Sequence, residues 1–280
     1  MENITVKDHS VSNEEFQLVF DETLEMYKTE PQPSLETLAS YYESEDYISH
    51  TDAKRNLFEK IYHWVRTYML SKKMMLVDRY TKSDAEKVLD IGCGTGDFLA
   101  MAKKYKWEVA GIEPDEQARK IAVAKIETEI HTNEWLSEIP DHSFDAITMW
   151  HVLEHVPNLE EQIQTLKRIV KPKGSIFIAV PNFKSHDAKH YKQFWAAYDV
   201  PRHLWHFSQK AIKSLFEKEN MKVVKILPMK FDAYYVSLLS EKHKTGKMNP
   251  IKGFYRGFVS NFKAILSSEY SSLIYVIKND

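Results

Sequence analysis

The sequence predicts an α/β fold: a doubly wound, mostly parallel seven-stranded sheet, preceded by a helical arm and interrupted by helical insertions. Two observations carry this prediction. Short strand-like runs alternate with helical patterns through the middle of the chain, which is typical of βαβ units in one twisted sheet. Hydrophobic residues make up 43% of the 280 residues, so the chain can bury a full core.

The N-terminal part is predicted to be an arm. Residues 1–33 show weak periodicity and end at Pro31-Gln32-Pro33, which is typical of a linker. Ser34 is a suitable N-cap for a short helix, and apolar residues recur at helical spacing from Asp52 to Val77. We therefore expect residues 1–50 to form a helical arm and residues 51–280 to form the main domain.

The rest of the chain supplies the sheet and its covering helices. Strands are predicted at Lys87–Ile91, Glu108–Ile112, Glu127–Thr132, Phe144–Trp150, Ser175–Val180, Met221–Leu227 and Ser272–Ile277. Helices are predicted at Asp97–Tyr105, Glu116–Lys125, Asn158–Val170 and Ser208–Glu219. Residues 183–207 and 229–268 interrupt the alternation and are predicted to be insertions on the ligand side or a lid.

Composition excludes several classes of protein. Thirty-eight basic residues stand against 40 acidic ones, so no overall positive field favours a nucleic-acid binder. Bases are concentrated in residues 183–280, with about seventeen bases against about eight acids. The single cysteine, Cys93, excludes a disulfide framework and suits a reducing compartment. The polar N-terminus is not a signal peptide, and no apolar run approaches the about 20 residues of a membrane span. We expect a cytoplasmic protein.

Three of the eight glycines fall in one loop, at Gly92, Gly94 and Gly96. Either the backbone turns tightly there or a ligand approaches it closely. The loop joins a strand to a helix, the setting of a nucleotide-binding crevice. Asp97 occupies the third glycine position of the dinucleotide fingerprint, and Asp90 stands on the other side of the loop. Two carboxylates would repel the negative charge of a pyrophosphate, and they would attract a cationic ligand such as S-adenosylmethionine.

Glu113 ends the second predicted strand, about twenty residues after the first loop glycine, where a carboxylate binds ribose hydroxyls. NAD and S-adenosylmethionine both need that contact, so Glu113 does not choose between them. A surface acid is the alternative interpretation.

The stretch from His151 to His155 spells H-x-x-E-H, the pattern of one class of zinc peptidase. A predicted strand leads directly into it, however, and Pro157 follows closely. A helix is predicted to begin only at Asn158, with Glu161 completing a capping box. We therefore predict a strand-to-helix crossing that lines the crevice, and no metal.

Four motifs occur in order: VLDIGCGTG at 88–96, GIEP at 111–114, SFDAI at 143–147, and KPKG at 171–174 followed by VPN at 180–182. Together they closely resemble class I S-adenosylmethionine-dependent methyltransferases, in particular the ubiquinone-biosynthesis-methyltransferase-like group with a type 23 methyltransferase domain. The resemblance covers residues 85–228. It implies a Rossmann-like methyltransferase fold, S-adenosylmethionine as cofactor and S-adenosylhomocysteine as product.

The resemblance also implies roles for individual residues on the cofactor side. Asp90 and the backbone of Gly92–Gly96, which includes Cys93, would hold the methionine part, and Glu113 the ribose. Asn133 stands where the family has an aspartate at the adenine. Three more residues are assigned to this side, beside the adenine or the transferable methyl: Glu134, Trp135 and Trp150.

The N-terminal arm resembles a version of this group that carries a cysteine-rich zinc ribbon. Asp21 and Leu24 stand where cysteines would be, so the segment is a degenerate, cysteine-free form. Tyr42, Tyr47 and His50 match the family's entry segment over the cofactor. Simple packing of the arm is an equal alternative.

The acceptor side is assigned to the D-x-P-R-H-L-x-H-F pattern that the related group shares. Asp199, Arg202 and His206 are predicted to line the acceptor pocket, and a loop held by an Asp–Arg pair is the structural alternative. An oxygen or nitrogen acceptor needs a base, and we predict His151 and His203 as catalytic candidates.

The sequence therefore predicts a methyltransferase acting on a small or medium-sized acceptor, by O- or C-methylation, with aromatic, quinone-like or lipid-like acceptors favoured. A nicotinamide-dependent oxidoreductase and a non-catalytic cofactor-binding protein are the alternatives. A nucleic-acid acceptor is disfavoured because the Asp/Asn-Pro-Pro-Tyr tetrapeptide is absent after Trp150. The aromatic, basic segment within 229–268 is predicted to be a core or lid helix, with oligomer or peripheral membrane contact as alternatives.

Overall fold

The computed structural model describes residues 1–42, 57–81 and 87–279. In these ranges the strands are β1 (Ile4–Lys7), β2 (Glu15–Asp21), β3 (Met26–Glu30), β4 (Lys87–Ile91), β5 (Glu108–Ile112), β6 (Ile130–His131), β7 (Phe144–Trp150), β8 (Val170–Pro181), β9 (Trp205–His206), β10 (Met221–Pro228) and β11 (Ser272–Asn279). The α-helices are α1 (Leu35–Leu38), α2 (Leu57–Tyr80), α3 (Asp97–Lys104), α4 (Glu116–Ile126), α5 (Leu159–Ile169), α6 (His186–Tyr191), α7 (Gln209–Lys218), α8 (Asp232–Thr245) and α9 (Pro250–Ser267). Short 3-10 helices lie at Ala39–Tyr42, Asn133–Ser137, Leu153–His155, Lys192–Phe194 and Ala196–Tyr198.

The predicted seven-stranded sheet is confirmed, in the order β10-β11-β8-β7-β4-β5-β6. The pairs among β8, β7, β4, β5 and β6 are parallel, whereas β11 is antiparallel to both of its neighbours. Strands covered on both faces must be apolar along their whole length. The run from Ile176 to Val180 in β8 is accordingly fully buried.

The order of the strands creates the crevice. The chain runs from β4 outward to β5 and β6, and then returns to the other side of β4 to form β7. Connections that leave neighbouring strands in opposite directions open a gap at the carboxyl ends of those strands, and α/β proteins bind their ligands there. Here the gap lies between the ends of β4 and β7.

Four predicted strands have different lengths in the structure. β10 and β11 end at Pro228 and Asn279, one and two residues later than predicted. The predicted strand Glu127–Thr132 is reduced to β6, because Glu127 adopts a left-handed conformation that ends α4. The predicted Ser175–Val180 is extended to the longer β8. The long helix predicted from Asp52 is described from Leu57 onward, since residues 52–56 lie outside the described ranges.

The prediction of a helical arm is wrong for its first thirty residues. Strands β1, β2 and β3 form an antiparallel sheet, which β9 completes by pairing with β3 through Tyr27 and His206. The insertion at 183–207 packs against this sheet, and Leu18 and Tyr27 share a buried cluster with Phe183 and Trp195. The arm and the first insertion therefore form one layer. The short helix predicted after Ser34 is present as α1.

The second insertion, 229–268, is a pair of helices, α8 and α9. The contact uses small residues of α9: a Cβ added at Gly253 would lie 2.8 Å from the Cα of Leu238, and one at Gly257 would lie 2.7 Å from the Cα of Tyr234. The two backbones therefore approach closely. Every helix in the described ranges is too short or too polar to cross a lipid bilayer.

Candidate functional site

The glycine loop lies at the mouth of the crevice. Gly92, Gly94 and Gly96 all have positive φ angles, of 71°, 53° and 76°. A Cβ added at Gly92 would lie 2.4 Å from a methyl group of Val152, whereas one at Gly94 would meet no atom within 4 Å. Gly92 is therefore required by packing, and the backbone at Gly94 faces open space where a ligand can approach it.

Two buried carboxylates stand beside this loop, as the sequence analysis predicted for the cofactor side. Asp90 accepts a hydrogen bond of 2.6 Å from the hydroxyl of Thr148. Burial raises the pKa of Asp90 to about 7, and Glu113 adds to the shift, whereas Thr148 and Lys73 oppose it. A cation next to a buried carboxyl group with a raised pKa stabilises its charged form. The pair suits a ligand that brings positive charge into the crevice.

Glu113 is held at the loop by two backbone donors. One carboxylate oxygen accepts from the Gly94 N–H at 2.8 Å, and the other accepts from the Asp115 N–H at 3.0 Å. Burial raises the pKa of Glu113, and these hydrogen bonds partly offset that effect. The side chain is thereby fixed at the end of β5. Cys93 is buried beside it.

Asp97 does not act as the sequence analysis assumed. Its carboxylate pairs with Lys125 at 2.8 Å, contacts Arg66, and accepts from the Thr95 hydroxyl. Its charge is therefore balanced within the protein, and it does not discriminate against phosphate. Asp90 and Glu113 are the two carboxylates at the loop that stay available to attract a cationic ligand.

The predicted adenine side lies after β6, on the 3-10 helix Asn133–Ser137. Asn133 and Glu134 are exposed, and Trp135 is half-buried. The Trp135 ring stacks on His131 with ring centroids 3.9 Å apart. A flat aromatic surface therefore ends this strand, flanked by polar side chains.

The predicted general base at His151 is not supported by its surroundings. His151 has a positive φ of 60°; its Nδ1 lies 3.3 Å from Glu154 and its Nε2 lies 3.1 Å from Asp232. Burial lowers the pKa of His151, but the hydrogen bonds with Asp232 and Glu154 outweigh this and raise it to about 9. The ring is cationic at neutral pH, and both nitrogens are engaged. A base needs a free lone pair.

Lys73, which is not among the predicted site residues, reaches the crevice from α2. Its ammonium lies 4.4 Å over the ring of Trp150, and Phe98 packs against that ring at 5.4 Å. Burial lowers the pKa of Lys73, while Asp232 and Asp90 raise it. In the sequence, Lys73 is one of two adjacent lysines on an amphipathic helix. The local pattern does not distinguish it from an ordinary surface lysine.

The predicted acceptor pocket is in large part structural. Arg202 pairs with Asp199 at 3.1 Å and also donates to the carbonyl of Tyr41 and the hydroxyl of Ser10. His206 is buried, and its Nε2 lies 3.0 Å from the Thr29 hydroxyl. The structural alternative therefore holds for Arg202 and His206, which join the first insertion to the N-terminal sheet.

The entry segment is described only in part. The Tyr42 hydroxyl lies 2.9 Å from Nδ1 of His155, so the arm reaches the crossing after β7. Tyr47 and His50 lie outside the described residues, and their predicted contact with the cofactor stays a prediction.

The H-x-x-E-H stretch is a crossing, as predicted. Its only helical part is the 3-10 helix Leu153–His155, and α5 begins after Asn158, whose side chain accepts from the Glu161 N–H. His151 contacts Glu154 and Asp232, whereas His155 contacts the Tyr42 hydroxyl and the carbonyl of Arg202. That these two histidines hold no metal stays a prediction. A different group lies close enough to hold one, however: Glu154, His155 and His203 each offer a ligand atom, and these atoms lie within 4.8 Å of one another.

Comparisons with known proteins agree with this geometry. The profile of a family described as "Methyltransferase domain" matches residues 58–226. The ubiquinone biosynthesis O-methyltransferase of Neisseria meningitidis (serogroup A / serotype 4A) is 34% identical over 115 residues, which are 38% of this chain and 48% of that protein. The enzyme of the same name from Chromobacterium violaceum is 29% identical over 118 residues, 39% of this chain and 50% of that protein. The chain thus spans about half the length of the curated relatives it matches.

A crystal structure of an S-adenosylmethionine-dependent methyltransferase from Archaeoglobus fulgidus is also similar. Its TM-score is 0.53 at 19% identity, and the match covers 80% of this chain and 100% of that one. At this identity the likeness shows the fold, and it confirms the predicted Rossmann-like sheet.

Gly94→Ala is expected to abolish binding of S-adenosylhomocysteine while the fold is retained. A Cβ there costs about 1 kcal/mol of stability because φ is positive, and it projects into the crevice. Gly246→Ala is the matched control, since Gly246 also has a positive φ and open space around it, but it ends α8. Isothermal titration calorimetry should show binding lost only in Gly94→Ala. Equal binding by both variants would place the cofactor elsewhere.

The affinity for S-adenosylhomocysteine is expected to rise as the pH increases from about 6 to about 8. The pKa of Asp90 is about 7, so this carboxyl is neutral below that pH and anionic above it, and only the anion attracts the ligand's ammonium. Calorimetry across this range should show a steeper rise for the native protein than for Asp90→Asn. Because Glu113 also has a raised pKa, the difference between the two curves, rather than either alone, isolates Asp90. Parallel curves would contradict the assignment.

Proposed function

Because this chain belongs to the methyltransferase-domain family, we propose that it transfers the methyl group of S-adenosylmethionine to an oxygen of a small or medium-sized, quinone-like acceptor. The proposed cofactor site is supported by one observation. Two buried carboxylates, Asp90 and Glu113, flank the open backbone of Gly94 at the carboxyl edge of the sheet. The names of the relatives favour O-methylation of a quinone-type molecule.

The protein's part in such a reaction is alignment and activation. When bound, S-adenosylmethionine supplies an activated methyl group, so the protein mainly orients the partners and excludes water. Asp90, Glu113 and the Gly94 backbone would hold the cofactor. His151, whose ring is cationic, contacts Asp232 of the second insertion, and Lys73 lies near Asp232 and Asp90.

The acceptor's hydroxyl must lose its proton. His203 is better suited to assist than His151, because its Nδ1 lies 2.9 Å from the carbonyl oxygen of Ala197. A carbonyl only accepts, so Nδ1 carries the proton and Nε2 keeps a lone pair. We place activation of the acceptor at the cluster of Glu154, His155 and His203.

The proposed activity is tested with a panel of acceptors and methyl-deuterated donor, followed by mass spectrometry. A dihydroxybenzene with a short isoprenoid tail should gain one labelled methyl group on oxygen, and the same compound with its hydroxyls already methylated should gain none. Gly94→Ala should be inactive, and Gly246→Ala should be active.

Two outcomes would contradict the proposal. Binding of NADH without any response to S-adenosylmethionine would indicate an oxidoreductase. Cofactor binding without methyl transfer across a broad panel of oxygen and carbon acceptors would indicate a non-catalytic binding protein.

A lipid-like acceptor is supported by the outer face of α9. Its large apolar side chains point outward: Phe254, Phe262 and Leu266 are 63%, 64% and 92% exposed. Its small residues, among them Gly253 and Gly257, are buried against α8. A helix of a water-soluble core has the opposite arrangement. Of the predicted core or lid helix, the core alternative is therefore wrong, and the lid alternative stays a prediction.

The charge around this face fits an anionic lipid surface. Between residues 242 and 268 the chain has six lysines or arginines and no aspartate or glutamate. An apolar face bordered by basic residues is typical of helices that lie in the headgroup region of a membrane. We propose that α9 docks this protein on such a surface, from which an amphipathic acceptor is taken.

Docking is tested by sedimentation with phosphatidylcholine vesicles that contain, or lack, about 30% anionic phospholipid. The native protein should bind the anionic vesicles, and salt should weaken binding. Phe258→Ser/Phe262→Ser should reduce it at least about 100-fold, because each aromatic side chain that enters the lipid contributes about 1.5–3 kcal/mol. The control pair Ile121→Ser/Val123→Ser, on exposed positions of α4, should not.

Absence of vesicle binding would overturn the docking proposal. So would a native dimer that becomes monomeric in Phe258→Ser/Phe262→Ser, because that result would assign the face to self-association.

A further inference from the structure

Helix α9 has three different sides. Its buried side includes Gly257, which packs on α8, and Ala264. Because an α-helix turns by about 100° per residue, Arg256 and Lys263, each one position before a buried residue, lie together on one flank of that side. Phe258, one position after Gly257 and 54% exposed, lies on the other flank. The basic and the apolar side chains of α9 therefore occupy separate sides.

The basic side and the apolar side adjoin on the outer surface of the helix. The guanidinium carbon of Arg256 lies 5.6 Å from the centre of the Tyr255 ring, which is 58% exposed. This distance is within the range of a cation–π contact. A partner that covers the apolar side therefore also meets the basic side.

The short helix α6 lies next to α9. The Ser260 hydroxyl donates to Asp187 at 2.6 Å, and the Asp187 N–H donates to the Ser260 oxygen at 3.3 Å. Asp187 is buried, whereas His186, Lys189 and His190 of the same helix are half-buried or exposed. Helix α6 thus adds its own basic side chains beside those of α9.

Cationic side chains of three helices meet at the two histidines. Lys263 and Arg256 of α9 lie near His186. Arg256 also lies near His190, together with Lys244 from the last turn of α8. These side chains form one basic surface, which consists of His186, Lys189, His190, Lys244, Arg256 and Lys263.

Two acids lie near the basic surface, and both are hydrogen-bonded inside the protein. Asp187, 1% exposed, accepts from the indole N–H of Trp195 at 2.8 Å and from the Ser271 hydroxyl at 2.6 Å. Glu241, 5% exposed, accepts from the Tyr191 hydroxyl at 3.0 Å. Because neither carboxylate reaches the surface, the positive charge there is left for an external anion to balance.

The two histidines make this charge depend on pH. Burial lowers the pKa of His186, and the neighbouring cations add to this effect, whereas Asp187 opposes it. Burial likewise lowers the pKa of His190, the neighbouring cations add to the effect, and Glu241 opposes it. Both rings are therefore neutral at neutral pH. An anion beside them stabilises the protonated rings and so raises both pKa values.

We propose that the basic surface binds the phosphate groups of anionic membrane lipids, and that protonation of His186 and His190 strengthens this binding as the pH falls. The proposal rests on the docking of α9 proposed above. The lysines and the arginine attract the lipid at any pH, and the adjoining apolar side enters it. Because binding raises the pKa of each histidine, it takes up protons, and the affinity therefore increases as the pH decreases.

The test compares binding to phosphatidylcholine vesicles that contain about 30% phosphatidylglycerol at about pH 7.5 and about pH 5.5. The lipid phosphodiester keeps its charge over this range. The native protein should bind at least about tenfold more tightly at the lower pH, since a rise of one pKa unit at one ring gives tenfold. His186→Gln/His190→Gln should lose most of this gain and keep the affinity of the higher pH. The control His142→Gln, at an exposed position before β7, should keep the gain.

A measurement on the native protein covers the case in which the double variant fails to fold. Calorimetry in buffers of different ionisation enthalpy should show that vesicle binding at about pH 6.5 takes up about one proton or more per chain. Absence of proton uptake would overturn the proposal, as would a pH effect that persists in the double variant. Inorganic phosphate that binds as tightly as the vesicles would also overturn it, because the surface would then hold a soluble anion.

The outcomes separate this proposal from those on which it rests. Vesicle binding that is strong but independent of pH would contradict the role of the histidines and leave the docking of α9 intact. Phe258→Ser/Phe262→Ser should weaken binding at both pH values, whereas the histidine variant should weaken it only at the lower one. Since no readout uses methyl transfer, failure of the proposed enzymatic activity would give a different result.

Discussion

The backbone turn that follows β7 is the constraint on which the rest of the site depends. His151 leaves the strand with a positive φ, which places Val152 against the glycine loop. Next, the carbonyl of Glu154 accepts from the Leu204 N–H at 2.8 Å, and the carbonyl of Val156 accepts from the indole of Trp205 at 2.7 Å. The glycine loop and the first insertion are thus positioned by one short crossing. A change in its conformation would move the cofactor side and the acceptor side together.

The sheet could be predicted because its signals are local. Apolar runs such as Ile176–Val180 and the glycines at 92–96 show their role within a few residues. The N-terminal sheet could not be predicted in this way, although Phe16 and Leu18 alternate with exposed neighbours in β2. Its fourth strand, β9, has only two residues and lies far along the chain, so the pairing that stabilises the sheet has no local signature.

The chemistry of the site was predicted less well than its location. The residue types at 90, 113, 151 and 203 were identified, but their protonation and pairing depend on distant partners. Asp97 is neutralised by Lys125 from the next helix, and His151 is held cationic by Asp232 from the second insertion. A histidine's role depends on which of its nitrogens has a partner, and Asp232 lies 81 residues from His151, while Thr29 lies 177 residues from His206.

Asp232 also connects the two sides of the molecule. It stands at the start of α8, the helix against which α9 packs through Gly253 and Gly257, and its carboxylate binds His151 beside the crevice. Any surface that fixes α9 therefore fixes the position of Asp232 as well. The contact between Asp232 and His151 is 3.1 Å long and partly shielded from water, so it is screened less than an exposed pair. The outer apolar face of α9 and the crossing after β7 are thus connected through Asp232. A helix pair docked on a lipid surface would hold the crossing in a defined position.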